Sequence, residues 1–198
     1  MTKTVDYYFT IPSPWAYLAG PRFYNLTQRN NLVVNWKPID LFQAFALVGT
    51  KKVSDRAPQI RANRLTELAR WGDYLDMPIN IEPKYFPPNP EPANRMVIAA
   101  VNKECNLHKL VEDYMSAVWV QEEDISKPST VIRIANRNGL NGEELYDFSQ
   151  GIKISEQLDR NTEEAISRNV FGAPTWIFEG ELFWGQDRID FLTRAIEK

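Results

Sequence analysis

The chain has 198 residues, a net charge of −3 and an ordinary globular balance of 43% hydrophobic and 25% charged residues. This length suits one domain, or one domain with a large insertion, and the charge argues against nucleic-acid binding. The single cysteine, Cys105, excludes an internal disulfide and a CxxC redox pair. No apolar run reaches the roughly 18–20 residues of a membrane span, and the first residues lack a signal-peptide pattern. We therefore expect a cytoplasmic protein without membrane contact.

The first forty residues predict a strand, a helix and a second strand. Residues 5–9 and 32–36 are rich in β-branched and aromatic side chains, as strands are. Residues 15–28 carry apolar side chains at helical spacing, with Ser13 at the N-cap position and Pro14 at the first helical position. This βαβ unit implies parallel pairing of the two strands.

The middle of the chain, residues 54–168, keeps a helical period, and strand-like alternation is scarce. A proline-rich loop over 83–92 interrupts it, and the lone histidine, His108, is expected on the surface. The pattern predicts helices over 57–74, 93–105, 107–119, 127–138 and 142–150. A further helix begins either at 161 or earlier, as one helix running through 155–168.

The end of the chain returns to strands. Residues 175–178 and 181–184 predict a tight hairpin, and residues 187–198 a last helix. The outline βαβ, helical insertion, ββα is that of an α/β thioredoxin-like fold with a large all-helical insertion. We assign residues 1–45 and 169–198 to the thioredoxin-like domain and residues 46–168 to the insertion.

The turn after the first strand reads Ser13-Pro14-Trp15-Ala16. In thioredoxin-like folds this turn carries C-x-x-C, and the helix N-terminus stabilises the thiolate. A serine cannot exchange disulfides, but its hydroxyl can donate a hydrogen bond to a bound thiolate and so lower the pKa of that thiol. The alternative is a common Ser-Pro helix start that has no function.

Two further motifs lie near the end of the chain. Ala173-Pro174 precedes the third strand, where a cis proline would present the backbone of Ala173 to a peptide-like ligand, although Pro174 could simply begin a strand. The segment Trp184-Gly185-Gln186-Asp187 joins the last strand to the last helix. Its backbone N–H groups and amide could hold a carboxylate and Asp187 an ammonium, or Asp187 could only cap the helix.

Together these motifs resemble the 2-hydroxychromene-2-carboxylate isomerase family, a branch of the DsbA-like thioredoxin superfamily, and more distantly the kappa-class glutathione transferases. The likeness also includes residues 6–9, 39–41 and 70–71.

The resemblance implies glutathione as the cofactor and a small-molecule substrate. It implies that Ser13 contacts the glutathione sulfur, Ala173 and Pro174 the cysteinyl unit, and Trp184, Gly185, Gln186 and Asp187 the γ-glutamyl end. For the substrate pocket it implies Tyr85 and the pair Asp55-Arg56, and Trp15 is placed to wall the same pocket.

The substrate pocket departs from the family pattern. Phe45 falls near the position of a family lysine, Asp55 replaces an asparagine and Asn63 a tyrosine. These changes remove a positive charge and add a negative one, which weakens attraction for a carboxylate. The arginines that could compensate are Arg56, Arg61 and Arg64.

Three functions follow as hypotheses. The first is a glutathione-dependent isomerase that acts on an aromatic or α,β-unsaturated carboxylic acid by reversible thiol addition. The second is a kappa-like glutathione transferase, and the third a non-catalytic thioredoxin-fold binding protein. We expect no metal site, and the resemblance makes a homodimer an expectation.

Overall fold

The computed structural model describes residues 2–198 and contains a mixed four-stranded sheet. Its strands are β1 (Thr4–Phe9), β2 (Val33–Pro38), β3 (Thr175–Phe178) and β4 (Glu181–Trp184), in the order β2-β1-β3-β4. The β1–β2 pair is parallel, as the βαβ pattern predicts, and the other two pairs are antiparallel. The sheet therefore joins the two ends of the chain.

Nine α-helices are present in the described residues. The helix α1 follows β1, seven helices lie between β2 and β3, and α9 follows β4 after a 3₁₀ turn over Gln186–Arg188. Their bounds are α1 Pro14–Asn30, α2 Leu41–Leu47, α3 Pro58–Leu75, α4 Glu91–Asn102, α5 Leu107–Trp119, α6 Pro128–Arg137, α7 Gly142–Ser149, α8 Ile152–Ser167 and α9 Ile189–Ile196. The predicted thioredoxin-like fold with a helical insertion is confirmed, and the exact division into residues 1–45, 46–168 and 169–198 stays a prediction.

The core lies on both faces of β1 because successive side chains of a strand point to opposite sides. Tyr7 packs with Phe23 of α1 and with Trp176, at centroid distances of 4.9 and 5.5 Å, in the larger cluster. Tyr8 faces the other way, into a smaller cluster with Ile39. The central strand is buried on both sides, so the turn that follows it starts from a fixed position.

One helix was not predicted, and several predicted helices differ from the observed ones by one to three residues at their ends. The seven residues of α2 are too few for a clear helical period, yet Asp40 caps the helix by accepting hydrogen bonds from the N–H groups of Phe42 and Gln43. The helix predicted over 93–105 begins earlier and ends at Asn102, so Cys105 lies beyond it, partly buried. No helix among residues 2–198 has the combined length and apolarity to cross a membrane.

Candidate functional site

Ser13 lies at the N-terminus of α1, where the sequence pattern places it. Its side-chain oxygen accepts a hydrogen bond from the N–H of Ala16 at 3.2 Å and its hydroxyl donates to the carbonyl of Ala173 at 3.1 Å. The side chain is buried, and the partial positive charge of a 17-residue helix is centred beside it. An anion next to Ser13 would therefore be stabilised by both the helix and the hydroxyl.

The turn that carries Ser13 is held by Asn94 of the inserted helix α4. The buried amide of Asn94 accepts a hydrogen bond from the N–H of Ile11 at 3.2 Å and donates to the side chain of Thr10 at 3.2 Å. The carbonyl of Thr10 in turn accepts from the N–H of Ser13 at 3.0 Å. Sequence analysis missed Asn94 because an asparagine within an apolar helix pattern has no local feature that indicates its partner.

Ala173 and Pro174 lie directly across from Ser13, and the bond between them is cis. The N–H of Ala173 has no hydrogen-bond acceptor within residues 2–198, while its carbonyl binds the Ser13 hydroxyl. The carbonyl of Pro174 accepts from the N–H of Gly185 at 2.9 Å. This bond joins the second and third sequence motifs into one surface.

A cavity of about 310 Å³, here called the polar groove, lies beside Ala173 and is walled by Trp15 and by residues 184–188. The groove carries side chains of both charges, since Glu67, Asp187 and Arg188 all line it. Asp187 pairs with Arg188 at 2.8 Å. The groove therefore suits a ligand end that bears both an ammonium and a carboxylate.

Gln186 is buried at the base of the polar groove and is held by Arg22 of α1. The guanidinium of Arg22 donates to the backbone carbonyl of Gln186 at 3.0 Å and also to its side-chain Oε1. Because arginine only donates, the amide must turn its oxygen toward Arg22 and its Nε2 away from it. That Nε2 has no acceptor within the described residues, and Gln186 lines the groove.

Two glycines allow close contacts in the wall of the polar groove. A Cβ on Gly172 would lie 2.2 Å from Nε1 of the Trp184 indole, so the ring can pack there only against a glycine. Gly185 has a φ of +100°, and a Cβ on it would lie 2.7 Å from a carboxylate oxygen of Asp187. Gly185 belongs to the third sequence motif, whereas no local feature indicates the contact of Gly172 with Trp184.

A second cavity, here called the aromatic cavity, shares Trp15 and Ala173 with the groove and has a volume of about 340 Å³. Ser13 lies in its wall, so the hydroxyl is at the junction of the two spaces. Most of the wall is apolar and comes from the unpredicted helix α2, the proline-rich loop and Val53 between α2 and α3. The residues of α2 and the loop are Leu41, Phe42, Phe45, Phe86, Pro87, Pro88 and Pro90.

The remaining wall of the aromatic cavity carries four cations and no carboxylate. They are Lys52, Arg56, Arg61 and Arg64. The three arginines suggested by the sequence as compensation for the lost family lysine thus converge on one space. Such a cavity suits a flat, apolar molecule that carries an anionic group.

Three residues that the resemblance brought into the substrate pocket are placed elsewhere. Asp55 is exposed and accepts a hydrogen bond from Ser54, Asn63 is exposed on α3, and Tyr85 packs near the ammonium groups of Lys84 and Lys127. None of the three lines the aromatic cavity, whereas Phe45 does. In the loop, Phe86 occupies the place expected for Tyr85, because neighbouring loop residues point in different directions.

His108 is not the surface residue that the sequence indicated. It is half-buried beside a third cavity of about 200 Å³, with its ring 4.8 Å from that of Trp36 and its Nε2 3.2 Å from the hydroxyl of Thr27. Burial lowers the pKa of His108 to about 4. This cavity shares no lining residue with the other two, and residues 2–198 contain no group of three His, Cys, Asp or Glu side chains placed to hold a metal ion.

The geometry suits two ligands that meet at Ser13. A peptide-like molecule in the polar groove would find a free N–H at Ala173 and a free amide donor at Gln186. A second, apolar and anionic molecule would fit the aromatic cavity. The buried hydroxyl and the helix N-terminus favour negative charge where the two would touch.

Comparison with known proteins identifies the family of the chain. The model of the DSBA-like thioredoxin domain matches residues 4–197. Among curated proteins, the chain is 26% identical to 2-hydroxychromene-2-carboxylate isomerase of Sphingobium xenophagum, covering 97% of both chains. It is 29% identical to the enzyme of that name from Pseudomonas putida, covering 97% of this chain and 93% of the relative.

More distant similarity extends to the protein named glutathione S-transferase kappa 1 of Homo sapiens, at 23% identity over 99% of this chain and 92% of the relative. Among solved structures, one described as 2-hydroxychromene-2-carboxylate isomerase superposes with a TM-score of 0.81. It is 25% identical, and the alignment covers 98% of this chain and 94% of the other.

Proposed function

The chain belongs to the DSBA-like thioredoxin domain family, and we propose that within it this protein is a glutathione-dependent isomerase of aromatic or α,β-unsaturated carboxylic acids. The observation that carries the proposal is the buried Ser13 hydroxyl at the start of α1. It lies where the polar groove, which has side chains of both charges, meets the aromatic cavity, whose charged residues are all cations. The names of the two isomerase relatives support the reaction class.

The residues of the polar groove fit glutathione. The free N–H and the carbonyl of Ala173, next to Pro174, match the backbone of a cysteinyl unit, as a neighbouring strand would. The Nε2 of Gln186 and the backbone beside Gly185 would hold the γ-glutamyl carboxylate, and Asp187 would face its ammonium. When bound, glutathione would supply a thiol that adds reversibly to a conjugated double bond.

Ser13 would favour the charged form of that thiol. Its hydroxyl can turn from the neutral carbonyl of Ala173 to a thiolate, because a hydrogen bond to a charged acceptor is the stronger of the two. The carbonyl that Ser13 would release belongs to Ala173, the residue that would pair with the cysteinyl backbone. One rotation would thus release a carbonyl for the ligand and supply a donor for its sulfur.

The acid would occupy the aromatic cavity. Trp15 and Phe86 would flank its plane, and the cations of the wall would attract its carboxylate. Asp55 and Tyr85 lie outside this space and are not part of the proposed site. The cations would compensate for the family lysine that Phe45 replaces.

The test combines calorimetry with a mass balance. We expect glutathione to bind at submillimolar to millimolar concentration, and 2-hydroxychromene-2-carboxylate, the substrate in the relatives' names, to isomerise with no loss of glutathione. Absence of glutathione binding at millimolar concentration would reject the cofactor. Isomerisation at the same rate without glutathione would reject the mechanism.

A kappa-like glutathione transferase is the second candidate, favoured by the similarity to glutathione S-transferase kappa 1. The groove and Ser13 would act in the same way, but the adduct would be released. The mass balance separates the two, since net consumption of glutathione in step with product identifies the transferase.

We also propose that the protein works in the cytoplasm and forms a homodimer. The lone, partly buried Cys105 agrees with a reducing compartment, because it has no second cysteine to pair with. Fractionation of cells and sedimentation of the purified chain test these two statements.

A further inference from the structure

Arg64 occupies an unusual position in the aromatic cavity. It lies on α3, with its guanidinium carbon 5.1 Å from the ring centroid of Phe86 and 5.9 Å from that of Trp119. These two rings also contact each other, at a centroid distance of 4.9 Å, and Trp119 is fully buried. The side chain is thus held against an aromatic wall, with part of its surface facing the cavity.

Within residues 2–198, Arg64 has no carboxylate partner and no hydrogen-bond acceptor, unlike other partly buried arginines. Arg95 binds Glu91 and a backbone carbonyl, and Arg168 binds Asp6 and Glu164. Burial and the nearby charge of Arg56 lower the pKa of Arg64 to about 10, so it keeps its charge at neutral pH. A charged group that is partly desolvated and unpaired gains most from an incoming anion.

The donors of Arg64 remain open to the cavity. Among the described residues, the fully buried side-chain nitrogens without a partner belong to Arg22, Trp119 and Trp176, so those of Arg64 still meet solvent. A guanidinium packed on an aromatic face keeps its edge free, and that edge can donate two parallel hydrogen bonds to a carboxylate.

We propose that Arg64 is the specificity-determining residue of the aromatic cavity and binds the carboxylate of a flat, conjugated acid whose plane lies along the wall formed by Phe86. This proposal rests on the proposed function, because that function makes the aromatic cavity the substrate site. It predicts that the cavity selects acids over their neutral analogues. Arg61, one turn earlier on α3, is exposed and contributes only a solvated charge.

Calorimetry without glutathione tests the proposal, with naphthalene-2-carboxylate and the neutral naphthalene-2-carboxamide as probes. We expect the wild-type protein to prefer the carboxylate by about 10-fold or more, the range for a hydrogen-bonded charge pair. Arg64→Gln should abolish most of this preference and leave the affinity for the carboxamide unchanged. Arg61→Gln, which removes the same charge from an exposed position, should lower the preference by less than about 3-fold.

Equal affinity of the wild-type protein for both probes would overturn the proposal without any variant. Equal effects of Arg61→Gln and Arg64→Gln would also overturn it, because a general positive field would then explain the preference. Should Arg64→Gln fail to fold, Arg64→Lys keeps the charge and loses the planar fork. We then expect an intermediate preference, and a preference equal to that of the wild type would count against the role of Arg64.

The experiment distinguishes this inference from the proposed function. An acid preference that depends on Arg64 in a protein that does not bind glutathione would reject the isomerase and leave the anion site standing. Normal glutathione binding with no acid preference would reject the anion site alone.

Discussion

The polar groove and the aromatic cavity meet at Trp15 and Ala173, yet they present different charges. The groove has both signs, from Glu67, Asp187 and Arg188, whereas every charged residue that lines the cavity is a cation. A molecule with an ammonium and a carboxylate complements the first, and an acid complements the second. Two adjoining spaces that share wall residues therefore differ in the charge of the ligand that each would favour.

The two spaces also differ in how they are built. The groove depends on backbone groups and on Gln186, which the half-buried Arg22 holds from 164 residues away in the chain. The cavity depends on side chains, several from the exposed stretch between α2 and the start of α3. No residue of that stretch lines the groove. The departures from the family pattern at Phe45 and Asp55 lie in α2 and in this stretch, outside the groove.

The largest effect should come from Ser13, which lies in the wall of the aromatic cavity and binds Ala173, a residue that lines both spaces. We expect Ser13→Ala to lower kcat/KM by about 100-fold, the usual loss for one donor to a developing anion, while both ligands still bind. Loss of the hydrogen bond raises the pKa of the bound thiol, so the rate profile should move to higher pH.

The control for this prediction is Ser13→Thr, which keeps a hydroxyl and the N-cap of α1. Unchanged activity across the pH range in Ser13→Ala would contradict the role given to Ser13. Equal losses in both variants would show that the packing of the turn matters more than the donor.

A smaller effect should separate the groove from the cavity. Gly172→Ala places a methyl group against the indole of Trp184 and must move it, which we expect to weaken glutathione binding by about 10-fold. Binding of naphthalene-2-carboxylate should stay the same. Gly20→Ala is the control, since a Cβ there meets no atom within 4 Å. An equal loss of affinity for both ligands would show that the groove and the cavity do not bind independently.

Gln186→Glu should weaken glutathione binding by about 5-fold. The variant keeps an acceptor for Arg22 and replaces the free Nε2 donor with a second oxygen, so the fold is retained and the groove loses one hydrogen bond. Calorimetry with glutathione measures the effect, and the thermal unfolding midpoint serves as the control. Unchanged affinity would show that the amide does not contact the ligand.

The smallest effect concerns His108, which lies outside both spaces. Its folded-state pKa of about 4 is below the unfolded value of 6.5. The contribution of the neutral imidazole to the free energy of unfolding is therefore fully present above pH 6.5 and is lost as the pH falls toward 4. We expect the midpoint of His108→Phe to fall less than that of the wild type between pH 7 and pH 5, by a few degrees. Identical pH dependence of the two proteins would contradict the burial of His108.

Apart from α2, the elements and their order could be predicted from local sequence patterns. Hydrophobic period, caps and turn residues act over a few positions, so they located β3, β4 and α5 to the residue and placed Ser13 at the start of α1. The thioredoxin-like outline followed from that order, and the motifs at Ala173 and Trp184 followed from their positions in it.

Only the tertiary structure decided which side chains face each other. Arg22 and Gln186, or Asn94 and Ile11, are far apart in the chain and carry no local signal of their pairing. Tyr85 and Phe86 are neighbours in a loop without periodicity, so nothing local determines which of them enters the cavity. Direction within a loop and contact across the fold are set by long-range packing, which a pattern of short range cannot encode.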